Sequence, residues 1–248
     1  MRVVTWLLVS LMLNVSSVWG SLFSKCSQQD GIVNCTHTGL TEIPQNLGEI
    51  EVLDLSGNQL TVIETVDIEG LQTLNLSDNT IINIHNSAFS HLDSLRSLDL
   101  SGNRLTGDSL REAVFEGLNS LASLNLERNP LQRIRKDTFD FMTLLDVQYL
   151  DLSHCQISEI ESYGIHLPSL KYLDLRWNSL ESFNDEMIHG LTSLVTLDLS
   201  HNHIRVLDEI PIMPSLETWI LDSNGIEKLH IQTDLEYRAE NLKNLYLR

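Results

Sequence analysis

Apolar residues recur along most of this chain in one pattern. Two leucines stand two residues apart, an asparagine follows three positions later, and another aliphatic side chain comes two beyond it. Leu95–Leu105 reads LRSLDLSGNRL and Leu194–Ile204 reads LVTLDLSHNHI. The same spacing fits Ile50–Leu60, Leu71–Ile81, Leu121–Leu131, Val147–Ile157, Leu170–Leu180 and, with most departures, Leu216–Ile226. A ninth copy, Leu242 to Arg248, stops before its asparagine. In an extended segment, residues two apart point to one side, so the paired leucines predict one short strand per copy with a single apolar face.

The ninth place of each copy holds Asn58, Asn79, Asn103, Asn129, Cys155, Asn178, Asn202 and Asn224. The steps between them are 21, 24, 26, 26, 23, 24 and 22 residues. This chain resembles the leucine-rich repeat family, whose unit is L-x-x-L-x-L-x-x-N/C-x-L, over nearly all the length that follows its first residues. The resemblance implies an α/β solenoid, a right-handed horseshoe. Its short parallel strands line the concave face, and irregular or short helical segments form the convex one. Inward leucines of successive copies then build a core that no single copy could bury alone. The asparagine amide is expected to satisfy backbone groups in the turn after the strand. Cys155 replaces it with a weaker donor; a buried structural thiol is the preferred reading over an intermolecular bridge. Phe89, Phe115 and Phe139, before Leu92, Leu118 and Met142, predict a packed convex spine continued by Ile165 and Ile188.

The ends differ from the middle. Arg2 and the apolar run Val3 to Leu13 read as a signal peptide over residues 1–20, cut after Gly20. Residues 21–49 form an N-terminal cap and 50–248 the repeats. The segment from Cys26 to Pro44 resembles the cysteine-containing cap of extracellular leucine-rich repeat proteins, through Val33, Cys35, Leu40, Ile43 and Pro44. That cap usually carries four cysteines, whereas this segment has two, so a single Cys26–Cys35 bridge is the simplest pairing. At the other end Leu242, Leu245 and Leu247 predict a strand with an open edge. Truncation of a longer product is preferred there over an assembly surface that would make an oligomer.

Composition adds charge. The formal net charge is −18, which disfavours nucleic acid and anionic membrane as partners and leaves basic or neutral ones open. No later window is apolar enough to span a bilayer, so direct membrane insertion is not expected. No metal-ligand spacing or phosphate loop is visible, and no cofactor is expected.

Between the paired leucines stand Asp54, Asn75, Asp99, Asn125, Asp151, Asp174, Asp198, Ile220 and Tyr246. A site for a basic ligand or cation is one reading of these acids; ordinary repeat wording with solvated carboxylates is the preferred one. Departures from that wording cluster late, at Arg128, Tyr149, His154, Tyr172, Arg176, Trp177, His201, Ile220 and Tyr246. Aromatic and arginine side chains carry much binding energy at interfaces. They predict a concave footprint centred on Tyr149, Tyr172 and Trp177. Glycosylation sequons stand at Asn34 and Asn75.

A secreted or cell-surface binding module for a protein or glycan-bearing macromolecule follows. The resemblance implies a receptor ectodomain in innate immunity or development, an adhesion or guidance protein, or a secreted recognition protein. A structural matrix or oligomer-forming protein is the alternative. Catalysis is not expected: Asp198, Ser200 and His201 mimic part of a triad, but D-x-S belongs to several copies and no oxyanion site accompanies it.

Overall fold

The computed structural model describes residues 25–45, 47–110, 114–142, 146–207, 211–229 and 238–248. The signal peptide expected over residues 1–20 lies outside the described residues. Among those described, one eleven-stranded sheet runs the length of the molecule. Its first two strands, Ser27–Gln29 and Ile32–Asn34, pair antiparallel; every later neighbour is parallel. The nine repeat strands are Val52–Asp54, Thr73–Asn75, Ser97–Asp99, Ser123–Asn125, Tyr149–Asp151, Tyr172–Asp174, Thr196–Asp198, Thr218–Ile220 and Asn244–Tyr246.

Register is in step throughout, with Leu53, Leu74, Leu98, Leu124, Leu150, Leu173, Leu197 and Trp219 opposite one another in turn. Each is essentially inaccessible. A one-residue slip would turn these side chains to solvent, which is why the pattern sets the pairing so firmly. Trp219 fills the leucine place of the divergent copy, and among the described residues its Nε1 has no hydrogen-bond partner.

The convex side carries very little helix among the described residues: a 3-10 turn at Asp140–Met142 and an α-helical residue at Arg238. Elsewhere the return segments pair in two-residue parallel strands: Val62–Ile63 with Asn83–Ile84, Arg133–Ile134 with Glu159–Ile160, and Val206–Leu207 with Lys228–Leu229. Phe89, Phe115, Phe139, Ile165 and Ile188 are buried behind them, as the spine required. Phe115 and Phe139 stack with ring centroids 6.5 Å apart.

The asparagines perform the work expected of them. Asn103 Nδ2 donates to Leu76 O at 3.0 Å and Leu100 O at 2.9 Å, while its Oδ1 accepts the Ile81 N–H at 3.0 Å. Equivalent bonds tie Asn58 to Cys35 of the cap, and Asn79, Asn129, Asn178, Asn202 and Asn224 to the copy before each. Cys155 donates through Sγ to Leu126 O and Ser153 O but offers no comparable acceptor. The Leu131 N–H, which would have bonded to an asparagine there, turns instead to Asn129 O at 2.8 Å. Cys155 is free and buried, as expected; burial pushes its thiol up to about 12.

At the start, Cys26 and Cys35 are joined by a disulfide. It closes a hairpin whose turn is Asp30-Gly31, both at positive φ. Asp-Gly between two short strands is the sequence signal for this turn, and it identifies a hairpin that the hydrophobic pattern alone did not.

Candidate functional site

Every side chain on the exposed face of the sheet is placed by the repeat. The Asp or Asn between the leucines faces outward, and its Oδ1 accepts the backbone N–H two residues on. This holds at Asp54, Asn75, Asp99, Asn125, Asp151, Asp174 and Asp198, at 2.8–3.0 Å. Either residue type serves, because only the shared oxygen is used. The acidic wording is therefore a turn device.

The expectation of well-solvated carboxylates is corrected in the second half. Asp54, Asn75 and Asp99 are partly exposed, but Asp151, Asp174 and Asp198 are 5%, 1% and 7% exposed. The cause over the first two is the pair of tyrosines two residues before them. Tyr149 and Tyr172 are neighbours in register and stack with centroids 4.8 Å apart and planes 2° from parallel. Their hydroxyls donate to Asp151 Oδ2 at 3.2 Å and Asp174 Oδ2 at 3.3 Å, so each ring lies over its own strand. Arg176 Nε approaches Asp174 Oδ2 at 3.4 Å. Burial pushes the Asp174 carboxyl up to about 6; Asp151 and Asp198 add to this, and the Arg176 N–H and guanidinium oppose it. Burial, reinforced by Asp174, also raises the Tyr172 phenol to about 12, and Tyr149 is raised further by burial and Asp151. Both remain protonated donors at neutral pH.

A second row runs along one rim, at the residue before each asparagine. Gly57, Asp78, Gly102, Arg128, His154, Trp177, His201 and Ser223 all have φ between 50° and 67°. Glycine, aspartate and histidine suit that left-handed geometry, whereas tryptophan carries strain there. The strain is accompanied by a stack. Trp177 lies 5.5 Å from the His154 ring and 3.8 Å from the His201 ring, with near-parallel planes. It is still 50% exposed. Glycine at this place in earlier copies was the available clue to the row's conformation.

The nine residues expected to bind therefore separate. Tyr149, Tyr172 and Arg176 form one cluster over the buried acids; His154, Trp177 and His201 form the neighbouring rim stack. Ile220 sits beside Asp198 in register and is partly buried, while Tyr246 lies one strand beyond and is 40% exposed. Arg128 points away from the cluster: its Nη2 lies 3.5 Å from Asp78 Oδ1, passing the copy of Gly102. Among the described residues no group of acids, histidines and cysteines could hold a metal ion. No described helix is long and apolar enough to cross a membrane.

A leucine-rich repeat model matches residues 49–105, 108–157 and 146–204, and a second matches 193–216. The chain belongs to the leucine-rich repeat family. Its relatives include extracellular members. Keratocan of Coturnix japonica is 30% identical over 204 residues, covering 79% of this chain and 54% of that protein. The transforming growth factor beta activator LRRC33 of Danio rerio is 32% identical over 205 residues, covering 71% and 30% respectively. The solved structure of human trophoblast glycoprotein superposes with a TM-score of 0.64 at 26% identity, covering 81% of this chain and 80% of that one. The chain thus spans about half, or less, of the length of these two curated relatives.

Proposed function

We propose that this leucine-rich repeat protein is an extracellular recognition module that binds a protein or glycan-bearing macromolecule on its concave face. Residues 1–20 act as the export signal, 21–49 as the cap and 50–248 as the repeats. The footprint is centred on Tyr149, Tyr172 and Trp177, with His154, Arg176, His201 and Ile220 beside it. The carrying observation is that these aromatic side chains are stacked and held before any ligand arrives. Rigid aromatic anchors lose little side-chain freedom on binding, which leaves more of their contact energy as affinity.

Glycans at Asn34 and Asn75 fit this division. Asn75 lies on the same face in the second repeat strand, between Asp54 and Asp99, so a glycan there covers the early copies and leaves the aromatic half clear. A binding role in place of catalysis is supported by the state of the reactive groups. The free thiol is buried and its pKa raised, and the two phenols are held as hydrogen-bond donors.

The test is a screen of the soluble chain against displayed extracellular proteins, followed by affinity measurement on each partner found. The double substitution Tyr172→Ala with Trp177→Ala, with unchanged circular dichroism, is expected to weaken binding at least about tenfold, as loss of central anchors does. Partners that bind both forms equally would remove the footprint.

A further inference from the structure

The buried carboxylates are not equally satisfied. Asp151 Oδ2 receives the Tyr149 hydroxyl, and Asp174 Oδ2 receives that of Tyr172 and lies 3.4 Å from Arg176 Nε in an ion pair. Asp198 occupies the same place one strand further on, where Thr196 stands opposite Tyr172 and has no phenol to offer. Its Oδ1 accepts the Ser200 N–H at 2.9 Å, but among the described residues nothing donates to Oδ2. The residue is nevertheless 7% exposed. Oδ2 is not among the sealed, unpartnered atoms of the described residues, which are Arg135 Nε, Ser153 Oγ and Trp219 Nε1, so it keeps an opening to solvent through which a ligand's donor can reach it.

The wall beside it is also unfilled. Tyr172 gives one ring face to Tyr149. Its strand lies between those of Tyr149 and Thr196, so the opposite ring face is turned toward the column of Thr196 and Asp198. Thr196 pairs with Thr218, another small residue, and Asp198 pairs with Ile220. The result is a slot one strand wide with an aromatic wall, a threonine floor and a carboxylate at its end.

We propose that this slot is a guanidinium subsite, in which an arginine side chain of a basic partner segment lies along Tyr172 and donates to Asp198 Oδ2. The inference rests on the concave-face reading above and names the chemistry of its partner. Charge favours it: Asp151, Asp174 and Asp198 have Arg176 as their near cation, within a chain of formal charge −18. A planar guanidinium can stack on a ring and hydrogen-bond a carboxylate at once; an ammonium offers a point charge only.

Hexa-arginine peptide and its neutral isostere hexa-citrulline are the probes, measured by titration calorimetry on the folded chain. Asp198→Asn is the informative variant because asparagine already occupies this place at Asn75 and Asn125, with the same backbone bond. Asp54→Asn, the equivalent change on a partly exposed strand, is the control for net charge. Hexa-arginine is expected to bind and hexa-citrulline not to. Asp198→Asn should weaken hexa-arginine roughly tenfold, as loss of a charge-assisted bond does, and Asp54→Asn by less than about twofold, as expected for an exposed charge. Equal weakening by the two variants would reduce the effect to overall charge and overturn the subsite. If Asp198→Asn has no effect while Tyr172→Ala does, the subsite fails and the aromatic footprint stands. Failure of hexa-arginine to bind the unmodified chain also overturns the subsite, while leaving the test with macromolecular partners intact.

Discussion

Replacing Asn103 by alanine isolates what holds one coil to the next. The side chain is 5% exposed and its loss strands the Ile81 N–H, while Leu76 O and Leu100 O each lose one donor and keep another, Asn79 Nδ2 and Asn129 Nδ2. At about 2 kcal/mol for the buried amide left unpaired and about 0.5 kcal/mol for each of the two bonds lost from carbonyls that keep a donor, the cost is about 3 kcal/mol. Cys155→Ala is the internal comparison. It removes two sulfur contacts to Leu126 O and Ser153 O, at 3.2 and 3.3 Å, and strands no amide, because the Leu131 N–H is already bonded to Asn129 O. About 1 kcal/mol is expected there, since a thiol is a weak donor. Repeat arrays can lose cooperativity when one joint is weakened, so urea unfolding should be paired with hydrogen exchange. The Ile81 amide reports the broken joint directly. An opening made about 3 kcal/mol easier accelerates its exchange roughly a hundredfold, at 1.4 kcal/mol per decade. If Asn103→Ala costs no more than Cys155→Ala, or Ile81 exchanges at its original rate, the asparagine bonds are not what joins the coils.

Two further substitutions test the concave face. Trp177→Gly removes a left-handed tryptophan, worth roughly 1–2 kcal/mol of strain, and a ring stack worth about 0.5–1.5 kcal/mol. Thermal stability should therefore change little while affinity for any partner of the footprint falls; a fall in stability of more than about 3 kcal/mol would show that the stack is a folding element. Asp174→Asn tests the desolvated carboxylate. Its pKa in the fold, about 6, lies above the ordinary value of 3.8, so its favourable contribution is complete below about pH 4 and is lost as pH rises through 6. The asparagine variant should match the unmodified chain near pH 4 and be more stable, by up to roughly 3 kcal/mol, above pH 6. A constant difference across that range in urea midpoints would refute the assignment.

The repeat unit, its register and the buried spine were legible because each rests on a short-range rule applied many times. A leucine at every second strand position must face inward, and a neighbour with the same spacing must meet it, whatever the rest of the chain does. The Asp30-Gly31 turn and the left-handed row before each asparagine were equally local, and glycine marked both. What the tertiary structure decided is the state of the outward residues. Asp54 and Asp151 have the same neighbours in the pattern, L-D-L-S, yet one is partly exposed and the other is nearly sealed. The difference comes from Tyr149, which lies over Asp151 and is stacked on Tyr172 of the next strand, more than twenty residues away in the chain. Likewise no local rule says that Tyr149 and Tyr172 will lie parallel over their own aspartates, or that Arg128 will turn back toward Asp78 while Arg176 remains on the acids. Solvation and stacking depend on distance in space, and the sequence alone determines which residues stand in one row but not how each row closes over the next.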